Sequence, residues 1–97
     1  MKNLGLLATL NAKPEKSETV AAFIKGAIDL ARQENKTLTW YSFRIDENTF
    51  GIFDTFQDES GREAHLNGEI AKALISKADE LLSEAPDIKK IEILSSK

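Results

Sequence analysis

Apolar and polar positions divide this chain into alternating strand and helix patterns. Leu4 to Ala12 is apolar and β-compatible, and Lys13-Pro14 closes it, which predicts a first strand. From Glu15 to Asn35 the spacing becomes helical, with Val20, Phe23, Ile24, Ala27, Ile28 and Ala31 on one stripe. Glu15 and Glu18 fall in its first turn, where the helix dipole favours negative charge. Thr37 to Ile45 and Thr49 to Phe56 are rich in Thr and aromatic residues, and they predict two strands joined as a hairpin through Asp46-Glu47-Asn48. A short helix follows, with Ser60 and Glu63 spaced as a capping box and Asp58 as the alternative cap. Asn67-Gly68 ends it. A second helix spans about Glu69 to Ser83 on a stripe of Ala71, Leu74, Ile75, Ala78 and Leu82, and Pro86 prevents its continuation. Ile88 to Leu94 predicts the last strand.

The order strand-helix-strand-strand-helix-helix-strand predicts one α+β domain over residues 1–97, a ferredoxin-like antiparallel sheet with helices on one face. The other sheet face then carries uncovered apolar side chains, a feature of interfaces. A homodimer joined sheet to sheet is therefore expected.

Composition narrows the function. The chain has 97 residues, no cysteine, one histidine and a net charge of −3. Thiolate chemistry, disulfides and multi-histidine metal sites within one chain drop out, and neither a metal nor another cofactor is expected. The N-terminal stretch lacks a full signal-peptide core and cleavage site and reads as strand. No run approaches the length of a membrane span, so a cytoplasmic protein without a membrane partner is expected.

The aromatic run from Asn48 to Phe56 lies in the strand where ferredoxin-like RNA-recognition domains carry their base-stacking motif. Phe50 and Gly51 match that motif. Asn48, Thr49, Ile52 and Thr55 replace its basic, glycine and aromatic positions, and Asp54 would repel phosphate. With the acidic balance, no nucleic-acid partner is expected.

Nearly the whole chain, Leu4 to about Leu94, resembles the antibiotic biosynthesis monooxygenase (ABM) domain family. The stretches "LLATLNAKPEKSE" and above all "GIFDTFQDESGREAHLNG" carry the resemblance to a small bacterial monooxygenase branch. It implies a dimeric α+β barrel. It also implies an enzyme that oxygenates a small aromatic, quinol- or anthrone-like, with O2 and no cofactor. The alternative on the same scaffold is a non-catalytic small-ligand-binding or stress-response dimer. Where many members have a strand-two tyrosine and a strand-three tryptophan, this chain has Trp40 and Phe56. At the haem-cleaving branch's asparagine and tryptophan it has Ala8 and Phe56, with no histidine beyond His65, so haem cleavage is not implied.

Two residues are candidates for catalysis. His65 is the one side chain expected to change charge near neutral pH, and it follows strand three closely enough to swing back over it. Asp54 shares a strand face with Phe50, Ile52 and Phe56, where a carboxylate is costly unless paired. Its partner is His65, Arg44 or Tyr41, or it faces a pocket; the competing reading is a structural hydrogen bond. In the catalytic reading Asp54 orients His65 as a general base, and His65→Ala lowers turnover while sparing the fold. Candidate substrate contacts are Trp40, Phe56, Arg44 and Phe43, against simple core packing. The hairpin register decides some of these. A three-residue loop pairs Ile45 with Thr49 and sets Trp40 and Arg44 beside Asp54, whereas a four-residue loop pairs Ile45 with Phe50 and sets Tyr41 there. Arg62, Glu63, Lys72, Lys77 and Lys16 read as solvated helix faces.

Overall fold

A computed structural model describes residues 4–97; the first three positions of the stretch read as strand lie outside the described residues. Four strands form one antiparallel sheet: β1 (Leu4–Asn11), β2 (Thr37–Arg44), β3 (Thr49–Phe56) and β4 (Asp87–Glu92). Their spatial order is β2-β3-β1-β4, the ferredoxin-like arrangement, with β3 and β1 central. The helices are α1 (Ser17–Gly26), α2 (Ile28–Ala31), α3 (Glu59–Leu66) and α4 (Glu69–Leu81).

Several elements differ in detail from the sequence expectation. The predicted first helix is preceded by a 3-10 turn at Pro14–Lys16 and is broken after Gly26. There Ala27 N donates to both Phe23 O and Ile24 O at 3.2 Å, a tightened turn where glycine already weakens the helix. Asp58 rather than Ser60 caps α3: its carboxylate accepts from Gly61 N at 2.9 Å and from the Ser60 hydroxyl at 2.7 Å. The buried stripe of α4 is Ile70, Leu74 and Leu81, so Ile75 is turned outward and is 66% exposed.

Period-two alternation sorts the sheet into two faces. Leu6 and Leu10 of β1 and Phe50, Ile52 and Phe56 of β3 are buried; Leu10, Phe50 and Ile52 form the main core with Val20, Ile24, Leu74 and Leu81 of the helices. Phe50, the aromatic that matched the RNA-binding motif, is 1% exposed and unavailable for stacking on a base. On the opposite face, Tyr41 is 57% exposed and Phe43 lies over Gly51. A Cβ added to Gly51 would meet the Phe43 ring at 2.4 Å, so a glycine here lets the ring lie flat on the sheet.

The hairpin takes the three-residue loop. Ile45 N donates to Thr49 O at 2.8 Å, and Asp46 accepts from the backbone N of Asn48 at 3.1 Å and of Thr49 at 2.9 Å. Trp40 therefore pairs with Asp54, Ser42 with Ile52 and Arg44 with Phe50, all toward the helices. Tyr41 pairs with Phe53 on the other face. Among the described residues no helix is long and apolar enough to cross a membrane.

Candidate active site

β3 delivers Asp54 to the helix-covered face between Ile52 and Phe56, where it is 1% exposed. The chain then turns through Gln57 into α3, which must lie close against the strand ends. Gly61 permits this approach: a Cβ there would be 2.8 Å from Lys36 Cβ and 3.1 Å from Lys36 O. One turn later, on the same buried helix face, stands His65, 8% exposed. Its ring lies 5.3 Å from that of Phe56, tilted by 47°.

The imidazole is bracketed by two carboxylates. His65 Nε2 is 2.8 Å from Asp54 Oδ2, and Nδ1 is 2.7 Å from Glu34 Oε1. The Asp54 contact has the distance of an ion pair but not the alignment of a hydrogen bond, so Oδ2 keeps no directed donor. Glu34 comes from the connection between α2 and β2, and the Thr37 hydroxyl donates to its Oε1 at 2.6 Å, fixing the carboxylate.

Burial by itself would push the His65 pKa down, but the Asp54 and Glu34 carboxylates outweigh it and raise the pKa to about 9. Burial raises the Asp54 pKa, against the pull of His65 and with a further push from the Glu34 charge. With its pKa raised to about 9, the ring carries a proton on each nitrogen at neutral pH, one near each acid.

This linkage sets a pH dependence. The folded pKa of His65, about 9, lies above its ordinary 6.5, so the stabilisation is complete below about pH 6.5 and is lost as pH rises through 9. Its ceiling is about 3 kcal/mol. The raised Asp54 acts in the same direction, while Asp46, Asp58 and Glu59, all lowered by hydrogen bonds, contribute stability that is lost on acidification. Thermal melts from pH 6.5 to 9.5 are expected to show a falling Tm, with a flatter profile in His65→Gln. Identical slopes in both proteins would remove His65 as the cause.

Asp54 and His65 line a cavity of about 130 Å³ between the sheet and α3 and α4. Its other walls are apolar: Leu6, Ala8, Ile52, Ile70, Leu74 and Ile88 among them. His65 also lines a second space, an open groove of about 500 Å³ beside Glu34, Lys36, Gly61 and Glu69. The ring thus borders both spaces, and the groove carries the charged side chains of Glu34, Lys36 and Glu69 at its edge. Among the described residues, no group of three or more His, Cys, Asp or Glu side chains is arranged to hold a metal ion.

Of the candidate substrate contacts, none lines this cavity. Trp40 lies opposite Asp54 and packs against the core, its Nε1 buried without a hydrogen-bond partner among the described residues. Phe56 is fully buried against the imidazole. Arg44, four residues beyond Trp40, stacks 4.8 Å over the Phe50 ring and pairs with Glu18 at 2.8 Å. Phe43 is on the opposite sheet face because the three-residue loop sends odd-numbered positions there.

Two participants were missed. Glu34 lies 31 residues from His65 in sequence, and nothing in its local pattern marks it. Arg62, read as solvated, is buried; its Nη1 donates to Gly5 O at 3.3 Å and its Nη2 pairs with Glu59 at 2.6 Å, tying α3 to β1. Its place one turn before His65 was the available signal.

The solved structure of a Nitrosomonas europaea protein of unknown function is 45% identical to this chain, covering 100% of this chain and 94% of the other, with a TM-score of 0.97. A Pseudomonas aeruginosa structure is 23% identical over 98% of this chain and 97% of its own, with a TM-score of 0.83. A structure described as an antibiotic biosynthesis monooxygenase is 18% identical over 95% of this chain and 99% of its own, with a TM-score of 0.81. The last two share the fold. No family model matches the sequence, and no curated protein matches it.

Proposed function

The chain belongs to the family of that Nitrosomonas europaea protein of unknown function, and we propose that it is an enzyme that oxygenates a small hydroxylated aromatic with O2 in the cavity beside Asp54 and His65. One observation carries this reading: a carboxylate with a raised pKa, backed by an imidazolium, faces a cavity otherwise walled by apolar side chains. The fold shared with a structure described as a monooxygenase supports the choice of reaction.

The chemistry needs little apparatus. O2 reacts slowly with closed-shell organics, but the anion of a phenol or quinol can donate an electron to it. One oxygen atom replaces a ring hydrogen and the other leaves as water, while oxidation of the quinol itself to the hydroxyquinone supplies the electrons, with no cofactor. The protein must take the hydroxyl proton and hold the resulting anion in a dry site. Asp54 takes the proton, and the charge of His65 holds the oxyanion. An apolar cavity of about 150 Å³ accepts benzene, so 130 Å³ favours a single-ring quinol over a fused anthrone. Oxygen uptake with single-ring hydroquinones should saturate, and His65 ring resonances should shift on quinol addition without O2. The absence of both uptake and shift would sink the proposal. Shifts without uptake would support the alternative, a non-catalytic ligand binder, which the prior engagement of both ring nitrogens favours.

The homodimer belongs to the same reading. The uncovered sheet face carries Tyr41 and Phe43, and Ile45 projects beyond β2, each at least one-third exposed. Sedimentation at micromolar concentration should give twice the 10.8 kDa chain mass. A stable monomer would remove the interface.

A further inference from the structure

We propose that Ile75 of α4 and Ile88 of β4 form the entrance of the cavity and select single-ring quinols that carry an alkyl substituent, which passes between them. The inference rests on reading the cavity as the place of reaction, and it adds the part of the substrate that the cavity does not enclose. Most of the lining is buried: Leu6, Ile52, Ile70 and Leu74 are 3–6% exposed and Asp54 is 1% exposed. Ile75 and Ile88 line the same cavity, yet they are 66% and 42% exposed. Lining residues that solvent also reaches mark where a cavity opens. Their surroundings in sequence are polar: the exposed positions beside Ile75 are Lys72, Ser76 and Lys77, and those beside Ile88 are Asp87, Lys89 and Lys90. Two exposed apolar side chains on one opening are a shared feature, unlike the single ones scattered over ordinary surfaces.

The sheet register gives the distance from this entrance to Asp54. In one row across the helix-covered face, Ile88 pairs with Ala8 and Ala8 with Ile52; in the next, Lys90 pairs with Leu6 and Leu6 with Asp54. The edge strand β4 is therefore two strands away from Asp54, about 10 Å at ordinary strand spacing. A quinol ring whose hydroxyl meets Asp54 ends short of that edge, and an alkyl substituent spans the remainder. The way out is apolar throughout, over Ala8 and Ile52 of the sheet, under Ala71 and Leu74 of α4, then between Ile75 and Ile88. Lys90, on the same face of β4 as Ile88, lies 3.9 Å from Glu63 of α3, so this cation is matched by an acid instead of being presented to a ligand. An apolar group is what such an opening takes. Lodged there, it also keeps water from the site in which the quinol anion forms.

The test is calorimetric titration without O2, comparing hydroquinone with methyl-, ethyl- and propylhydroquinone in wild type, Ile75→Ser and Ile88→Ser. Both positions are exposed, so the variants should fold as wild type does. Each added carbon should tighten binding to wild type by about two- to fourfold, the upper figure being full burial of a CH2 group. In both serine variants the gain from hydroquinone to propylhydroquinone should shrink at least about threefold, while hydroquinone itself binds unchanged. A wild type that binds all four compounds alike, or variants that keep the full gain, would overturn the entrance. So would a dimer lost in either variant by sedimentation, which would make these residues a contact between two copies of the chain. Absence of binding by all four compounds would remove the cavity and the entrance together. Oxygen uptake is a separate readout: if no hydroquinone is consumed but the gain appears in wild type and shrinks in the serine variants, the assigned reaction fails and the entrance stands.

Discussion

His65→Ala is expected to destabilise the fold by about 3–5 kcal/mol, the cost of stranding one member of a buried ion pair. Asp54 remains behind, 1% exposed and without a directed donor on Oδ2. It must either stay charged in an apolar wall or take up a proton, and both are unfavourable at neutral pH. The substitution also removes the ring packed against Phe56 and enlarges both spaces that it lines. For a domain of this size the loss corresponds to a fall in Tm of roughly 12 °C or more. Urea unfolding of wild type, His65→Ala, Asp54→Asn and the double variant measures it as a cycle. Once Asp54 is uncharged, the cost of removing His65 should shrink by at least about 1 kcal/mol. A loss below about 1 kcal/mol in His65→Ala would mean that the pair is not buried in solution. This prediction differs from the sequence-based expectation that the variant would spare the fold, because only the structure shows both ring nitrogens beside acids.

The sheet was legible because its signal is local. Alternation along β3 placed Asp54 with Phe50, Ile52 and Phe56, and those four share the helix-covered face. The hairpin register was not, since it turns on whether Ile45 pairs with Thr49 or Phe50, and both pairings keep plausible faces. The Asp46 carboxylate, accepting from Asn48 N and Thr49 N, decides it. That local choice moves Tyr41 and Phe43 away from Asp54. The α4 stripe was misplaced by one position at its start, because Ile70 and Ala71 both fit helical spacing and only packing against α2 and the sheet buries Ile70. Half of the candidate site was readable, in that an acid on an apolar face and a single nearby histidine demanded a pairing. Glu34 was not, because its role depends on where the α2–β2 connection crosses the face of α3, and no periodicity records such a crossing.

Asp54→Asn separates the chemistry from the scaffold. The amide nearly matches the carboxylate in shape but cannot accept the substrate's proton, so oxygen-dependent turnover should fall by roughly 100- to 10,000-fold, the range of a lost general base. Stability should fall less than in His65→Ala, because the Glu34 carboxylate still pairs with the ring that Asp54 leaves and the amide keeps the site filled. His65 offers an independent marker. With Asp54 neutral, only the Glu34 carboxylate still holds the ring pKa up, so it should fall from about 9 toward its ordinary value, visible in an NMR titration of the single histidine. Loss of turnover with a preserved melt and a lowered His65 pKa assigns the proton transfer to Asp54. Equal turnover in variant and wild type would remove Asp54 as the base. A lost melt together with lost turnover would make the carboxylate a structural counter-ion to His65.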